Sequence, residues 1–226
     1  MVNLLAPPTI SVETAGFAPD YVSYDGGLEL QSAAVERIHS GADRGTIIVL
    51  EHEPVYTAGR RSTPDEYPQD GTPVVPVTRG GKVTWHGPGQ LVVYPIVQLN
   101  ERYRVVDFVR ALERVIIDAA AEIGAAGYRV PEFPGVWADT QAAGAHSTVQ
   151  AKFAQIGLHS SRRIITHGIA VNCSNDLAPF ENFVPCGIED AQVATLSDLV
   201  GRTVTPEAFA PALVRHMRGL VEEVAA

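Results

Sequence analysis

The chain has 226 residues, of which 46% are hydrophobic, so its length and apolar content fit one globular domain with a substantial core. The formal net charge of −9 argues against general nucleic-acid binding, which needs a basic surface. Two cysteines are too few for a disulfide framework, and no apolar run approaches the length of a membrane span. The first residues lack the basic and apolar segments of a signal peptide, so the sequence predicts a cytoplasmic protein that binds neither membrane nor nucleic acid.

Helices are predicted from hydrophobic spacing near 3.6 residues and from capping residues. The two clearest lie at 28–40 and 105–123, and each is followed by a glycine. Near the C-terminus, Thr205 is a good N-cap with Pro206 at the first helical position, which predicts a final helix to about Val224. Shorter helices are predicted at 175–183 and 195–200.

Strands are predicted where short runs rich in β-branched and aromatic residues are bounded by turn residues. The predicted strands are 46–51, 73–78, 91–99, 128–130, 135–138, 153–158 and 164–172, the last two as a hairpin. Residues 140–150, rich in Ala, Gly and Ser, are predicted to be a mobile loop. The first twenty residues contain three prolines and are predicted to form a loose arm before a single domain at 21–226. Because strands and helices do not alternate as βαβ units, the predicted fold class is α+β.

A glycine-rich stretch between two predicted strands carries the strongest functional signal. Residues 79–90 read Arg-Gly-Gly-Lys-Val-Thr-Trp-His-Gly-Pro-Gly-Gln, and an apolar strand follows. Glycine permits positive φ and close backbone approach, while the polar and aromatic side chains between the glycines offer ligand contacts. The stretch is interpreted as a backbone cradle for a ligand. An elaborate hairpin connection is the alternative, although a hairpin needs only one or two such residues.

Cys186 lies between a proline and a glycine, a local sequence typical of a tight loop. A thiolate is the reactive form of cysteine, and a nearby cation favours it. The chain contains only two lysines, Lys82 and Lys152, that could supply an ammonium group. From the residues alone, Cys186 is either a nucleophile or a buried small hydrophobe. The other cysteine, Cys173, follows an apolar strand end and is predicted to pack in the core.

Taken together, these segments resemble the octanoyltransferases of lipoate biosynthesis. The family pattern Arg-Gly-Gly-x-x-Thr-aromatic-His-Gly-Pro-Gly-Gln-x-x-x-Tyr-Pro is complete from Arg79 to Pro95. The other matching motifs are Glu51 to Arg60, Pro134-Gly135-Val136-Trp137, Lys152 with Ile156-Gly157, His167-Gly168 with Asn172, and Pro185-Cys186-Gly187. The resemblance covers roughly residues 20 to 200, and several motifs in the right order are far more specific than any one of them.

The resemblance implies a mixed central sheet flanked by helices, similar to biotin and lipoate protein ligases. It implies transfer of an octanoyl group from octanoyl-acyl carrier protein to a lysine of lipoyl domains, in 2-oxoacid dehydrogenase E2 subunits and the glycine cleavage H protein. This reaction is the first step of endogenous protein lipoylation. It also implies a catalytic pair, with Cys186 as nucleophile and Lys152 as general base and acid. Such a reaction needs no cofactor, and the protein is expected to act as a monomer.

The resemblance further indicates which residues bind the acyl group. They are Arg79, Gly80, Gly81, Lys82, Val83, Thr84, Trp85, His86, Gln155, Ile156, Gly157, His167, Gly168, Ile169 and Ala170. Trp85 is expected to supply apolar surface to the pocket. His86 and His167 are either satisfied structural residues or participants that orient Lys152 or bind the carbonyl. No metal is predicted, because a zinc site of His86, His167, Cys173 and Cys186 would match no compact ligand spacing.

Acyl carrier proteins and lipoyl domains are typically acidic, so docking on this acidic chain needs a local basic patch, for which Arg60-Arg61 and Arg162-Arg163 are candidates. The rival functions are an ATP-dependent lipoate or biotin ligase, an amidotransferase that moves lipoyl groups between proteins, and a non-catalytic acyl-protein-binding module. A ligase would adenylate a free acid and would need no cysteine nucleophile. The presence of both Lys152 and Cys186 favours the transferase.

Overall fold

A computed structural model describes residues 9–141, 148–183 and 192–226. Its main element is an eight-stranded mixed sheet. The strands are β1 Thr9–Gly16, β2 Asp43–Leu50, β6 Gln90–Gln98, β7 Tyr128–Val130, β8 Phe133–Gln141, β9 Thr148–Ser161, β10 Ile164–Asn172 and β11 Gln192–Val193. Their spatial order is β1-β2-β6-β10-β9-β8-β7, and β11 pairs with β9. The β1–β2 and β11–β9 pairs are parallel and the others antiparallel, which confirms the predicted mixed sheet and α+β class.

A second, three-stranded sheet is built by β3 Val55–Ala58, β4 Val74–Pro76 and β5 Val83–His86, in the order β4-β3-β5. The strand β5 lies inside the stretch that the sequence presents as one glycine-rich loop. Its residues 83–86 are the part of that stretch without glycine, and two of them are β-branched, a composition that favours extended backbone. The prediction of an uninterrupted loop was therefore wrong for these residues.

The helices cover both faces of the large sheet. They are α1 Tyr24–His39, α2 Val105–Glu122, α3 Leu196–Val200 and α4 Pro206–Val224, with 3₁₀ turns at Pro64–Glu66 and Ala178–Asn182. In β2, Ile47 and Val49 belong to the core cluster that includes α2 and α4, whereas Ile48 and Leu50 belong to the cluster that includes α1. Because successive strand residues point to opposite faces, a continuous apolar run is the pattern that such a doubly covered strand needs.

The helix ends follow the predicted capping chemistry. The Thr205 hydroxyl accepts the Ala208 N–H and Pro206 opens α4, as predicted. The helix α1 begins at Tyr24, four residues before its predicted start, because the Ser23 hydroxyl accepts the Gly26 N–H and offsets the cost of two glycines in the first turn. In the predicted helix at 175–183, only the 3₁₀ turn Ala178–Asn182 forms.

Two further predictions of local structure change. Residues 9–16 form β1 rather than part of a loose arm, because they pair in parallel with β2 and bury Ile10. The strand β9 begins at Thr148, five residues before its predicted start, and β8 extends to Gln141. The predicted loop at 140–150 is thus strand at both ends, and its middle lies outside the described residues. None of the helices in the described ranges is long and apolar enough to cross a membrane.

Candidate active site

A cavity of about 370 Å³ lies where the two sheets meet. Its walls come from β5 of the small sheet, from β6, β9 and β10 of the large sheet, and from the N-terminal ends of α1 and α2. This volume falls within the range typical of small-molecule sites. The described residues that line it are Tyr24, Arg61, Arg79, Gly80, Gly81, Lys82, Val83, Thr84, His86, Val92, Tyr94, Val105, Val109, Glu132, Phe133, Pro134, Lys152, Gln155, Ile156, Gly157, Leu158, His167, Gly168, Ile169 and Ala170.

Every residue that the sequence assigns to acyl binding lines this cavity, with the exception of Trp85. Side chains alternate along a strand, so Thr84 and His86 share one face of β5 and Trp85 takes the opposite face. There its ring meets the Phe180 ring edge-on at 5.9 Å in a separate apolar cluster. Trp85 therefore stabilises the small sheet and gives the cavity no surface.

Lys152 is buried, with a residue exposure of 3%, and it reaches the cavity from β9. Its Nζ lies 5.4 Å from the centre of the Trp137 ring, a cation–π distance. Gly135 packs directly beneath it with φ +124°, and a β-carbon there would lie only 3.0 Å from Nζ and closer still to Cε. The two motif residues Gly135 and Trp137 thus both contact the side chain of this lysine.

Cys186, Pro185 and Gly187 lie outside the described residues, so the predicted Cys186–Lys152 contact remains a prediction. The described chain resumes at Gln192 in β11, where Val193 pairs with Lys152 in the parallel ladder. The next residue, Ala194, donates its N–H to the Lys152 carbonyl at 3.1 Å. The chain from Gln192 to Ala194 is therefore fixed to the sheet beside the buried lysine.

Arg79 is the internal support of the loop at 79–82. Its side chain is buried and donates to the Thr57 hydroxyl and carbonyl, and its Nη1 donates to the carbonyls of Gly80 and Lys82, both at 2.9 Å. Gly157 lies against the Arg79 side chain, where a β-carbon would come within 2.8 Å of Cδ. The guanidinium thus stabilises the loop by donating hydrogen bonds to the carbonyls of Gly80, Lys82 and Thr57 and to the Thr57 hydroxyl.

The two cavity histidines are both neutral near pH 7. Burial lowers the pKa of His86 to about 3, with the charges of His52 and Arg79 adding to the effect. Burial lowers the pKa of His167 to about 4, and Arg79 again adds to it. The His86 ring meets Gln90 at 2.8 Å and Thr57 at 3.3 Å, so both of its nitrogens have protein partners.

His167 occupies an unusual backbone position, with φ +58° in the middle of β10. Its N–H donates to Gln31 Oε1 of α1 at 2.7 Å, and its Nε2 lies 3.3 Å from the Thr78 hydroxyl. Non-glycine residues with positive φ are uncommon and concentrate at functional sites. This residue pairs with Leu158 in the sheet and turns its ring toward the cavity.

Sequence reasoning missed the part of the cavity wall that comes from distant elements. Tyr24, Val105 and Val109 belong to helices far from the motifs, and Val92 reads only as core strand. Tyr94 belongs to the matching Tyr-Pro motif but was not assigned to the pocket. Pro134 and Phe133 could have been found, because the matching Pro-Gly-Val-Trp motif includes the proline.

Cys173 is fully buried in the main core cluster, and burial raises the pKa of its thiol. This agrees with its predicted packing role. Within the described ranges, no group of three or more His, Cys, Asp or Glu side chains is placed to hold a metal ion. The alternative zinc site includes Cys186, which lies outside the described residues.

Comparison with known proteins agrees with this geometry. The chain matches the lipoyl protein ligase A/B catalytic domain over residues 23–218. It is also 46% identical over 206 residues to an octanoyltransferase of Leifsonia xyli subsp. xyli, an alignment that covers 91% of this chain and 90% of the relative. The chain belongs to the octanoyltransferase family. It is a transferase of lipoate biosynthesis within the lipoyl protein ligase A/B class.

Solved structures show the same fold at low sequence identity. A bipartite lipoate protein ligase from Thermoplasma acidophilum superposes with a TM-score of 0.69 at 14% identity, covering 96% of this chain and 85% of the ligase. A biotin protein ligase from Leishmania major gives a TM-score of 0.52 at 14% identity, covering 98% and 77%. The predicted similarity to the lipoate and biotin ligase fold is confirmed.

Proposed function

We propose that this transferase moves an octanoyl group from octanoyl-acyl carrier protein to a specific lysine of lipoyl domains, through a thioester on Cys186. The observation that carries the proposal is the cavity, whose walls combine apolar side chains with a single buried lysine on β9. An eight-carbon chain suits the apolar part of this enclosure, and the polar side chains on the remaining wall can hold the carbonyl end. The 46% identity to an octanoyltransferase supports the acyl group named here.

In the first half-reaction, the Lys152 amine takes the proton of the Cys186 thiol and the thiolate attacks the carbonyl of the carrier thioester. A new C–S bond forms and the carrier C–S bond breaks. The carrier sulfur leaves with the proton that Lys152 holds. One thioester replaces another, so the step is close to thermoneutral and needs no nucleotide.

In the second half-reaction, the amine of the target lysine attacks the Cys186 thioester. Lys152 takes the proton that the amine loses, a C–N bond forms as the C–S bond to Cys186 breaks, and the cysteine sulfur takes the proton back from Lys152. The product amide is more stable than the thioester, which drives the sequence forward. Lys152 suits both roles because its side chain is fixed by Trp137 and Gly135 in a site with little exposure.

Docking of acidic partners is proposed at the cavity mouth. Arg61 lines the cavity and both Arg60 and Arg61 are exposed, so a carrier protein that delivers its acyl group there meets positive charge. Arg163 has a different task, since it donates to the carbonyls of Leu99, Asn100 and Tyr103 and so fixes the turn after β9. We therefore favour the first of the two arginine pairs.

Lipoyl domains as acceptors are supported by the Thermoplasma ligase, which was solved in a study of a lipoylation system with its E2 lipoyl domain. We extend this acceptor class to the lipoyl domains of 2-oxoacid dehydrogenase E2 subunits and to the glycine cleavage H protein. We further propose that the domain predicted at 21–226, together with strand β1, acts as one catalytic domain, as a monomer and in the cytoplasm. The family match over residues 23–218 supports the domain bounds.

The test is to incubate the protein with octanoyl-acyl carrier protein, without ATP, and to measure its intact mass. We expect a gain of one octanoyl group that hydroxylamine removes, no gain in Cys186→Ala, and a strongly slowed gain in Lys152→Met. Cys173→Ala is the matched cysteine control and should acylate like the wild type. An unmodified wild-type protein, with reduced thiols and a competent donor, would contradict the cysteine mechanism. ATP-dependent activation of free octanoate would favour the ligase alternative instead.

A further inference from the structure

A chain of buried side chains connects Ala194, next to β11, with His86 in β5. The Asn172 amide nitrogen donates to the Ala194 carbonyl at 3.2 Å, and the Gln90 amide nitrogen donates to Asn172 Oδ1 at 2.9 Å. The Gln90 Oε1 then lies 2.8 Å from His86 Nδ1. Asn172 and Gln90 are fully buried, so these bonds are shielded from competing solvent.

The donor and acceptor of every hydrogen bond in this series follow from the Ala194 carbonyl, which can only accept. Asn172 must turn its NH₂ group to that carbonyl, so its oxygen faces Gln90. Gln90 must then turn its own NH₂ group to Asn172, and its oxygen faces His86. The proton of the neutral His86 ring therefore lies on Nδ1, which leaves Nε2 with a lone pair.

The lone pair on His86 Nε2 fits the hydroxyl of Thr57, whose Oγ1 lies 3.3 Å away. That oxygen already accepts from Arg79 Nη2 at 2.7 Å and from Arg79 Nε at 3.3 Å. A hydroxyl has two acceptor positions and one proton, so the Thr57 proton is directed to His86. In the other tautomer, a ring N–H and two guanidinium N–H groups would all point at one oxygen.

We propose that these residues form a positioning relay for the substrate-binding loop at 79–82. The relay consists of Ala194, Asn172, Gln90, His86, Thr57 and Arg79. Its far end fixes the Arg79 guanidinium, whose Nη1 donates to the Gly80 and Lys82 carbonyls. Its near end is the peptide unit of Ala194, whose N–H donates to the Lys152 carbonyl. The relay thus links the loop to the strand that carries the proposed catalytic lysine.

This assigns His86 a defined role among the alternatives left open by the sequence. Both ring nitrogens are engaged by Gln90 and Thr57, so the residue transmits orientation and does not exchange protons with substrate. The importance of the loop for acyl binding rests on the proposed function. The tautomer of His86 and the order of the loop do not depend on the proposed function, and both can be measured without substrate.

The first test is nitrogen NMR of the full-length protein labelled with ¹⁵N in its histidine rings. We expect His86 protonated on Nδ1 alone at pH 7. In the double variant Gln90→Met with Thr57→Val, which removes the partners of both ring nitrogens, we expect this single tautomer to be lost. A wild-type His86 protonated on Nε2, or an unchanged tautomer in the double variant, would overturn the relay whatever the enzymatic activity.

The second test compares Thr57→Val, which keeps the shape and removes the hydroxyl, with Thr57→Ser, which keeps the hydroxyl. Hydrogen exchange of the Gly80 amide, which donates to the Leu158 carbonyl, reports the order of the loop without substrate. We expect faster exchange in Thr57→Val and near-normal exchange in Thr57→Ser. Equal exchange in the two variants would contradict the positioning role.

The kinetic arm uses octanoyl-acyl carrier protein as the donor. We expect Thr57→Val to raise KM about tenfold with a smaller change in kcat, because the loop binds and does not react. Thr57→Ser should recover most of this loss. A fall in kcat with unchanged KM would contradict the assignment to binding. If the wild type transfers no octanoyl group at all, the proposed function fails, while NMR and hydrogen exchange still decide the relay.

Discussion

Gly135 and Lys152 form a contact that only glycine permits. A β-carbon at position 135 would lie 3.0 Å from Nζ of the lysine and nearer still to Cε, and the backbone there has φ +124°. The Gly135 N–H also donates to the buried carboxylate of Glu113 at 3.1 Å. The lysine that we propose as general base therefore rests on a backbone segment that is itself held in place from below.

The first prediction concerns Gly135→Ala. The new methyl group should displace the lysine side chain and lower the acylation rate by more than tenfold, measured as the initial rate of octanoyl mass gain. Gly124→Ala is the matched control, because Gly124 also has a positive φ, of +92°, but no atom within 4 Å of the added carbon. Both variants carry backbone strain, and Gly135→Ala should lose additional stability because the added carbon would lie too close to the Ala154 carbonyl oxygen. The rates are therefore compared per folded molecule, and the acylation defect should appear only at position 135.

The second prediction concerns the buried carboxylate of Glu113. Its oxygens accept from Arg110 Nη1, both at 2.9 Å, as well as from Gly135. Glu113→Gln keeps the shape but removes the charge, and we expect a loss of about 1–3 kcal/mol in the free energy of unfolding. The exposed pair of Glu122 with Arg215 provides the comparison. Glu122→Gln should have a clearly smaller effect in the same urea titration, because solvent screens an exposed ion pair, and equal losses would contradict the argument.

The third prediction concerns stability at low pH. Burial lowers the pKa of His52 and His167 to about 4 and that of His86 to about 3, whereas the unfolded chain protonates its histidines near the ordinary 6.5. The unfolded state therefore gains protons first, and stability that is fully present above pH 6.5 declines as pH falls toward 4. Between pH 7.5 and 5, one such histidine should account for about 2 kcal/mol of lost unfolding free energy.

The matched variants for this prediction are His167→Asn and His39→Gln. Asparagine tolerates the positive φ at position 167, so the substitution removes the imidazole without forcing the backbone. We expect a shallower dependence of the urea midpoint on pH in His167→Asn and an unchanged one in His39→Gln, whose side chain is 47% exposed. A slope that His167→Asn leaves intact would assign the acid sensitivity to other groups.

The fourth prediction concerns the two thiols. Cys173 is fully buried and burial raises the pKa of its thiol, so iodoacetamide should leave it unmodified in the native protein and label it only after unfolding. If Cys186 is the nucleophile, it should carry the rapid label, and prior octanoylation should block it. Peptide mass analysis after a short exposure distinguishes the two. Rapid native labelling of Cys173 would contradict its placement in the core.

The strands and helices with strong periodicity could be predicted from sequence, and the places where prediction failed have physical causes. The run at β2 and the caps of α4 carry local signals, and both were correct. The pairing of β1 with β2 is a contact between segments about thirty residues apart, which no local pattern encodes. Trp85 was assigned to the pocket because its motif surrounds it, yet strand alternation turns it away from the cavity.

The candidate site shows the same division between local and distant information. The motifs identified the loop at 79–82, the residues of β9 and β10, and Lys152, and all of these line one cavity. Tyr24 and Val109 line it too, but they arrive on helices whose sequence shows only amphipathic spacing. The motifs contain Gln90 and Asn172, but the bonds between them could not be predicted, because the two residues are 82 positions apart and only the fold brings their atoms within 3.2 Å.

The measurement that tests the central claim most directly is the chase of an isolated octanoyl-enzyme. The protein is acylated by octanoyl-acyl carrier protein, separated from the donor, and mixed without ATP with a lipoyl domain or with a domain whose target lysine is changed to arginine. We predict that the octanoyl mass moves from the enzyme to the intact domain alone, by way of Cys186. An octanoyl-enzyme that stays acylated in the presence of the lipoyl domain, or that only hydrolyses, would contradict the account.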